Sequence, residues 1–179
     1  INVAIADAQK TIVILEGGSA IEVRDWIDEV DVLMLAWYPG CRGGEAIANV
    51  LFGAVNPAGK LPVTFPRGID QLPPFGMESL SVEHEYLQGY RYYSDKDKHD
   101  VTSRPEFPFG FGLSYTRFTL DGMYLRRFHN GFQITVDITN IGNVAGATVP
   151  QIYLSHSDSA ILRASKTLKG FGRVHLEQG

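Results

Sequence analysis

Residues 37–66, WYPGCRGGEAIANVLFGAVNPAGKLPVTFP, constrain the fold more than any other stretch, because backbone geometry dictates the order of their parts. Gly43 and Gly44 form a turn; Ile47, Val50 and Leu51 then fall at helical spacing, and Gly53 supplies the stop, so a helix is predicted over Glu45 to Phe52. Glu45, in the first turn, suits the positive end of the helix dipole. Asn56-Pro57-Ala58-Gly59 reads as a β-turn, with Pro setting φ at its second position and Gly closing it. Leu61 to Phe65 follows as a strand held between Pro62 and Pro66, which places it at a sheet edge.

Upstream, Thr11 to Leu15 (TIVIL) and Val32 to Trp37 (VLMLAW) are short continuous apolar runs, the pattern of strands covered on both faces in a parallel sheet. Between them, Ile21, Trp26, Ile27 and Val30 make a loose helical stripe over Ile21 to Val30. Strand, crossover and strand form a βαβ unit, whose parallel sheet needs helices on its faces. The first residues, INVAIADAQK, lack the basic and apolar regions of a signal peptide and read as a cut edge.

Downstream the pattern changes twice. From Pro66 to Pro108 periodicity disappears, and this stretch holds Pro66, Pro73, Pro74, Pro105 and Pro108 with the aromatic cluster Tyr86, Tyr90, Tyr92 and Tyr93. A segment of that length without regular structure is either disordered or functional, and its aromatic density favours ordered and functional. After residue 112 the period becomes two: Phe132, Ile134, Val136 and Ile138 alternate with Gln133, Thr135, Asp137 and Thr139, a half-buried antiparallel strand. A turn at residues 140–143, a strand over Val149 to Leu154 and one more over Leu168 to Leu176 complete a β-sandwich that stops early, since such sandwiches need about seven strands in about 100 residues. Its missing strands come from residues outside this chain, or the sandwich is incomplete.

Composition excludes several classes. With 44% hydrophobic and 20% charged residues the chain is neither disordered nor fibrous. A net charge of −4 argues against nucleic acid, which selects clustered Lys and Arg. No apolar run approaches the roughly 20 residues of a bilayer span. Cys41 stands alone, which rules out an intrachain disulfide or a cysteine-based zinc site and leaves the compartment open.

Three blocks of sequence carry a resemblance to glycoside hydrolase family 3, the β-glucosidases and their relatives. They are the residue 37–66 run; Gly89-Tyr90-Arg91-Tyr92-Tyr93 with residues 107–116, FPFGFGLSYT; and residues 136–142, VDITNIG, with Gln151-Ile152-Tyr153-Leu154 and Leu168-Lys169-Gly170-Phe171. Cys41-Arg42 departs from the family pattern, where Gln or Glu followed by another polar residue is more usual. The resemblance implies α/β followed by all-β architecture: part of a C-terminal α/β sandwich over residues 1–65, a linking segment near the active-site rim over 66–115, and an incomplete fibronectin-III-like β-sandwich over 116–179. It also implies a retaining exo-glycosidase acting on β-linked glucosides or short β-glucans without a cofactor. An aspartate nucleophile on an N-terminal (β/α)8 barrel would work with an acid/base glutamate, both outside this chain. The same resemblance admits a β-xylosidase or β-N-acetylhexosaminidase, and a non-catalytic carbohydrate- or protein-binding module is the rival from another class.

No catalytic or metal-binding residue is therefore assigned. The candidate rim residues for substrate are Trp37, Tyr38, His84, Tyr86, Arg91 and Tyr92. Trp37 and Tyr38 end a presumed parallel strand, where open α/β sheets place ligand crevices. The tyrosines offer apolar faces for a sugar ring, and Arg91 between two of them offers an ion pair or a stacking plane. Packing is the preferred reading for the aromatic residues, a role in fixing this segment for Arg91, and a solvated loop for His84. Glu83-His84-Glu85 lacks the i, i+4 histidine spacing of a helical zinc site, and His99, His129, His156 and His175 have no partner evident in the sequence.

Overall fold

The computed structural model describes residues 1–73, 78, 80–96 and 104–179. The chain is dominated by strands, with few helices. In order these are helix α1 (Asn2–Asp7), strands β1 (Ile12–Glu16) and β2 (Val32–Trp37), helices α2 (Gly43–Leu51) and α3 (Tyr90–Lys96), then strands β3 (Phe118–Phe128), β4 (Gly131–Asn140), β5 (Gly146–Thr148), β6 (Gln151–Leu154), β7 (Thr167–Phe171) and β8 (Val174–Leu176). The α1 helix falls in the segment that the sequence offered only as an edge.

The two apolar runs do pair in parallel, Ile12 opposite Val32 through Leu15 opposite Leu35. Their crossover is not the helix the stripe predicts. Residues 17–31 hold only a single 3₁₀ turn, Ile27–Glu29, and hydrogen bonds from Trp26 and Ile27 N–H to the Val23 carbonyl that go no further. Gly17, Gly18 and Ser19 take up the start of this connection, and the β-branched Ile21 and Val23 are weak helix formers. Val23 is instead buried in the core at 1% exposure.

Leu61 to Phe65 also differs from the predicted strand. It lies antiparallel to residues 107–111 but is bonded only at its ends. Leu61 N–H donates to Phe111 O at 2.8 Å and Gly110 N–H to Leu61 O at 2.8 Å, while Phe65 and Phe107 exchange bonds at 2.8 and 3.3 Å. Val63, the position between them that would face the partner in a continuous antiparallel ladder, makes no such bond, so the ladder is interrupted. The Phe65, Phe107 and Phe111 rings stack along this seam, at 6.2 and 5.0 Å between centroids.

In the β-rich half, the strand predicted around Phe132 is β4, and it pairs with β3 in a long antiparallel hairpin. The sequence reading gives no strand over β3. Its register slips between Asp121 and Tyr124, where Gly122 takes φ 56°, so the apolar alternation changes phase part-way along. The single strand expected over Leu168 to Leu176 is two, β7 on β6 and β8 on β5. All four sheets are two-stranded among the described residues. Leu120, Leu125, Phe132, Ile134 and Ile138 share one face of the β3–β4 hairpin, and the first three are more than half exposed or close to it.

Within the aperiodic stretch, Ile69–Gln71 is a 3₁₀ turn and α3 is a true helix. Aromatic residues lose side-chain freedom in a helix, so Tyr90, Tyr92 and Tyr93 gave no helical signal. Pro74 and His99 lie outside the described residues.

Candidate functional site

The carboxyl end of the β1–β2 pair presents Trp37 and Tyr38. Trp37 has φ 55°, the one non-glycine residue in left-handed conformation among those described. For a bulky side chain this is an outlier that the surroundings must enforce. Two features enforce it: the register slips so that Glu16 pairs with Trp37, and the Trp37 carbonyl accepts the Gly17 N–H at 3.2 Å. Tyr38, 80% exposed, lies over the Gly17–Gly18 turn. A Cβ on Gly18 would stand 2.7 Å from its ring, so a side chain there would push the Tyr38 ring aside.

Helix α3 gathers the second group. Tyr90 packs on Phe109 at 4.9 Å and on Tyr153 of β6 at 5.9 Å between centroids, and its oxygen accepts the Leu168 N–H of β7 at 2.9 Å. The β6–β7 register is irregular between Ile152 and Tyr153, next to Leu168, and Tyr90 supplies the acceptor there. Burial pushes the Tyr90 phenol up, but the Leu168 N–H and the Arg91 guanidinium outweigh it and hold its pKa below the ordinary tyrosine value. Arg91 sits 5.9 Å from the Tyr90 ring centroid. Tyr92 meets Tyr93 edge to face at 5.3 Å, and Tyr93 is buried, which raises its pKa. Replacing Tyr90 by Phe is expected to cost about 1–2 kcal/mol, because the Leu168 N–H then has no acceptor. Tyr86→Phe, at a 59% exposed position, is expected to be neutral; chemical denaturation of the two variants checks the contrast.

The structure thus divides the six rim candidates. Arg91 and Tyr92 are engaged in packing around α3, Trp37 and Tyr38 in the strained corner after β2, while Tyr86 and His84 lie on the surface. Glu45 is held by Arg42, which donates to both its oxygens at 2.8 and 2.5 Å. Arg42, at the position that departs from the family pattern, stands at the N-cap of α2 without a side-chain cap hydrogen bond and pairs with Glu45 instead. No group of three His, Cys, Asp or Glu side chains able to hold a metal occurs among the described residues, and no helix there is long and apolar enough to cross a membrane.

A polar network that sequence reasoning missed joins the first half of the chain to the second. Asn56 of the Asn-Pro-Ala-Gly turn accepts Ser114 Oγ–H and Tyr115 N–H, both at 2.9 Å, and donates to the Ala145 carbonyl at 3.0 Å. The Tyr115 hydroxyl donates to the Val50 carbonyl near the end of α2 at 2.7 Å. Thr116 Oγ1 donates to Asn140 Oδ1 at 2.6 Å, carrying the network into β4. Lys60 Nζ donates to the Gly112 carbonyl, and burial lowers its pKa. The only sequence signal was the turn itself.

The glycosyl hydrolase family 3 C-terminal domain matches residues 1–115. The chain belongs to this family. It is similar to a putative β-glucosidase of Schizosaccharomyces pombe, at 37% identity over 93% of this chain and 20% of that protein. Thermostable β-glucosidase B of Acetivibrio thermocellus is 38% identical over 98% of this chain and 24% of that one. Among solved structures, the family 3 β-glucosidase of Bifidobacterium adolescentis superposes with a TM-score of 0.88 at 33% identity, covering 99% of this chain and 27% of that one. A β-glucosidase of Streptomyces venezuelae, solved with D-glucose, gives 0.86 at 34% identity over 98% of this chain and 23% of its own. This family 3 chain thus spans about a fifth to a quarter of the length of these relatives.

Proposed function

We propose that this chain is the C-terminal portion of a retaining, exo-acting β-glucosidase that hydrolyses β-linked glucosides or short β-glucans. The observation that carries the reading is coverage: proteins named β-glucosidase align with nearly all of this chain at 33–38% identity. Residues 1–65 are part of its α/β sandwich, 66–115 link it onward, and 116–179 begin a fibronectin-III-like domain. The uncovered apolar face of the β3–β4 hairpin fits a sandwich whose second layer is incomplete, because one sheet of such a fold is buried against the other.

The nucleophile and the acid/base lie outside this chain, on an N-terminal barrel and on an upstream loop. Retaining hydrolysis needs two carboxyl groups about 5–5.5 Å apart, one of them with a raised pKa so that it can protonate the leaving oxygen. Three of the chain's carboxylates are held in ion pairs: Glu45 by Arg42, Glu106 by Arg67 at 3.2 Å, and Asp31 by Lys10, whose hydrogen bond holds the Asp31 pKa below the ordinary value. The chain contributes scaffold and part of the rim, with the exposed rings of Tyr38 and Tyr86 available to stack on a sugar.

The test compares the intact enzyme with the 179-residue chain on an aryl β-glucoside, following the anomer first released. Turnover by the intact enzyme with the β-anomer released first, and none by the chain, is the expected result. Hydrolysis by the chain alone would place catalytic groups within it, and release of the α-anomer first would exclude the retaining mechanism.

A further inference from the structure

A cavity of about 30 Å³ lies where the 61–65 segment, helix α3 and strand β6 meet, lined by Thr64, Tyr90, Tyr93, Ser94, Pro105, Pro108, Phe109, Tyr153 and Lys166. It is much smaller than the roughly 300 Å³ and upward of small-molecule pockets, so no sugar ring enters it. One water needs about 10–15 Å³ on this measure, so the space suffices for that.

The lining is not that of a dry void. Cavities that stay empty are walled by aliphatic and aromatic carbon alone, whereas this one has four hydroxyl-bearing side chains besides Thr64, and Lys166. Thr64 Oγ1 is buried without a hydrogen-bond partner, alone in this among the side-chain polar atoms of the described residues. Buried hydroxyls are paired in native proteins, and an exception calls for an explanation. The other lining groups are partly committed: Tyr153 donates to Gln151 Oε1 at 2.6 Å, and the Tyr90 oxygen accepts the Leu168 N–H. Tyr90 therefore keeps its own hydroxyl proton to donate, Ser94 adds a further hydroxyl, and Thr64 can both donate and accept.

We propose that this cavity binds one ordered water, which hydrogen-bonds Thr64 Oγ1 and at least one of the Tyr90 and Ser94 hydroxyls. The water is then the link by which the 61–65 segment, which has no ladder bonds between its ends, is fastened to α3. It gives Thr64 a partner that no protein group supplies, and it ties the turn-and-strand signature of the first half to the aromatic cluster around Tyr90.

The sign of one substitution tests this. Thr64→Val in the intact enzyme keeps the shape of the side chain and removes only the hydroxyl. If the water is present, the variant loses its hydrogen bond and Tm falls by about 2–4 °C; a crystal structure at better than 2 Å then shows a solvent peak within hydrogen-bond distance of Thr64 Oγ1 and of a second lining hydroxyl. A dry cavity in that structure overturns the proposal. So does a Val variant as stable as the unsubstituted enzyme or more so, since removing an unsatisfied hydroxyl relieves a cost.

Discussion

Asn140→Ala is expected to lower stability by about 3 kcal/mol, a fall in Tm of roughly 10 °C for the folding unit that contains it. Asn140 closes β4 and is 2% exposed. Its Oδ1 accepts from Thr116 Oγ1 at 2.6 Å and from Gly142 N–H at 3.1 Å, and its Nδ2 donates to the carbonyls of Val144 at 2.9 Å and Leu176 at 3.4 Å. Alanine removes all four contacts together and leaves buried partners without replacement, the circumstance in which hydrogen bonds cost most to lose. The loss is kept near 3 kcal/mol because water can reach some of the freed groups. Asn140→Asp separates the two halves of the effect: it keeps the acceptor and removes both donors, and it is expected to remain destabilising, with a charge facing the Val144 and Leu176 carbonyls. Denaturant unfolding of both variants checks this, and an Asn140→Ala variant within about 1 kcal/mol of the parent would show that the network is incidental.

Gly112→Ala is expected to destabilise by about 3 kcal/mol, the upper end of the range for overpacking. A Cβ at Gly112 would run into the carbonyl oxygen of Gly59, with the Lys60 side chain beside it. The obstacle is backbone, which cannot swing away as a side chain can. Relief requires the Asn56–Gly59 turn to separate from residues 110–112, and that separation breaks the bonds between Leu61 and both Phe111 and Gly110. Gly44→Ala provides the opposite case within one chain. Nothing lies within 4 Å of a Cβ there, and the residue sits inside α2, so alanine is expected to stabilise by about 0.5–1 kcal/mol. Thermal melts of the pair check the sign as well as the size.

Elements were legible where local chemistry was enough. The two short apolar runs, the helix after Gly43-Gly44 and the alternating strand around Phe132 each carry their own pattern, and they occur where that pattern predicts. Three elements were hidden for identifiable reasons. β3 was masked by the slip at Gly122, α3 by three tyrosines with little helical preference, and the absence of a crossover helix by a stripe of apolar residues whose Val23 serves the core without one. The rim candidates fared unevenly for the same reason. A tyrosine's type offers stacking or packing alike; Tyr92 and Arg91 pack on the adjacent Tyr93 and Tyr90, and Tyr90 is fixed in turn by Phe109, Tyr153 and Leu168 far along the chain.

By itself the sequence determined the family, and with it the kind of enzyme this chain resembles, because the Trp37 to Pro66 run requires glycine, proline and asparagine where backbone geometry leaves few alternatives. Only the tertiary structure decided what those residues hold on to. Asn56 reaches Ser114, Tyr115 and Ala145, and Gly112 is pressed against Gly59, contacts spanning fifty to ninety residues that no local period encodes. Turn propensity is a property of a few adjacent residues, whereas a hydrogen bond across the fold exists only once the whole chain has packed.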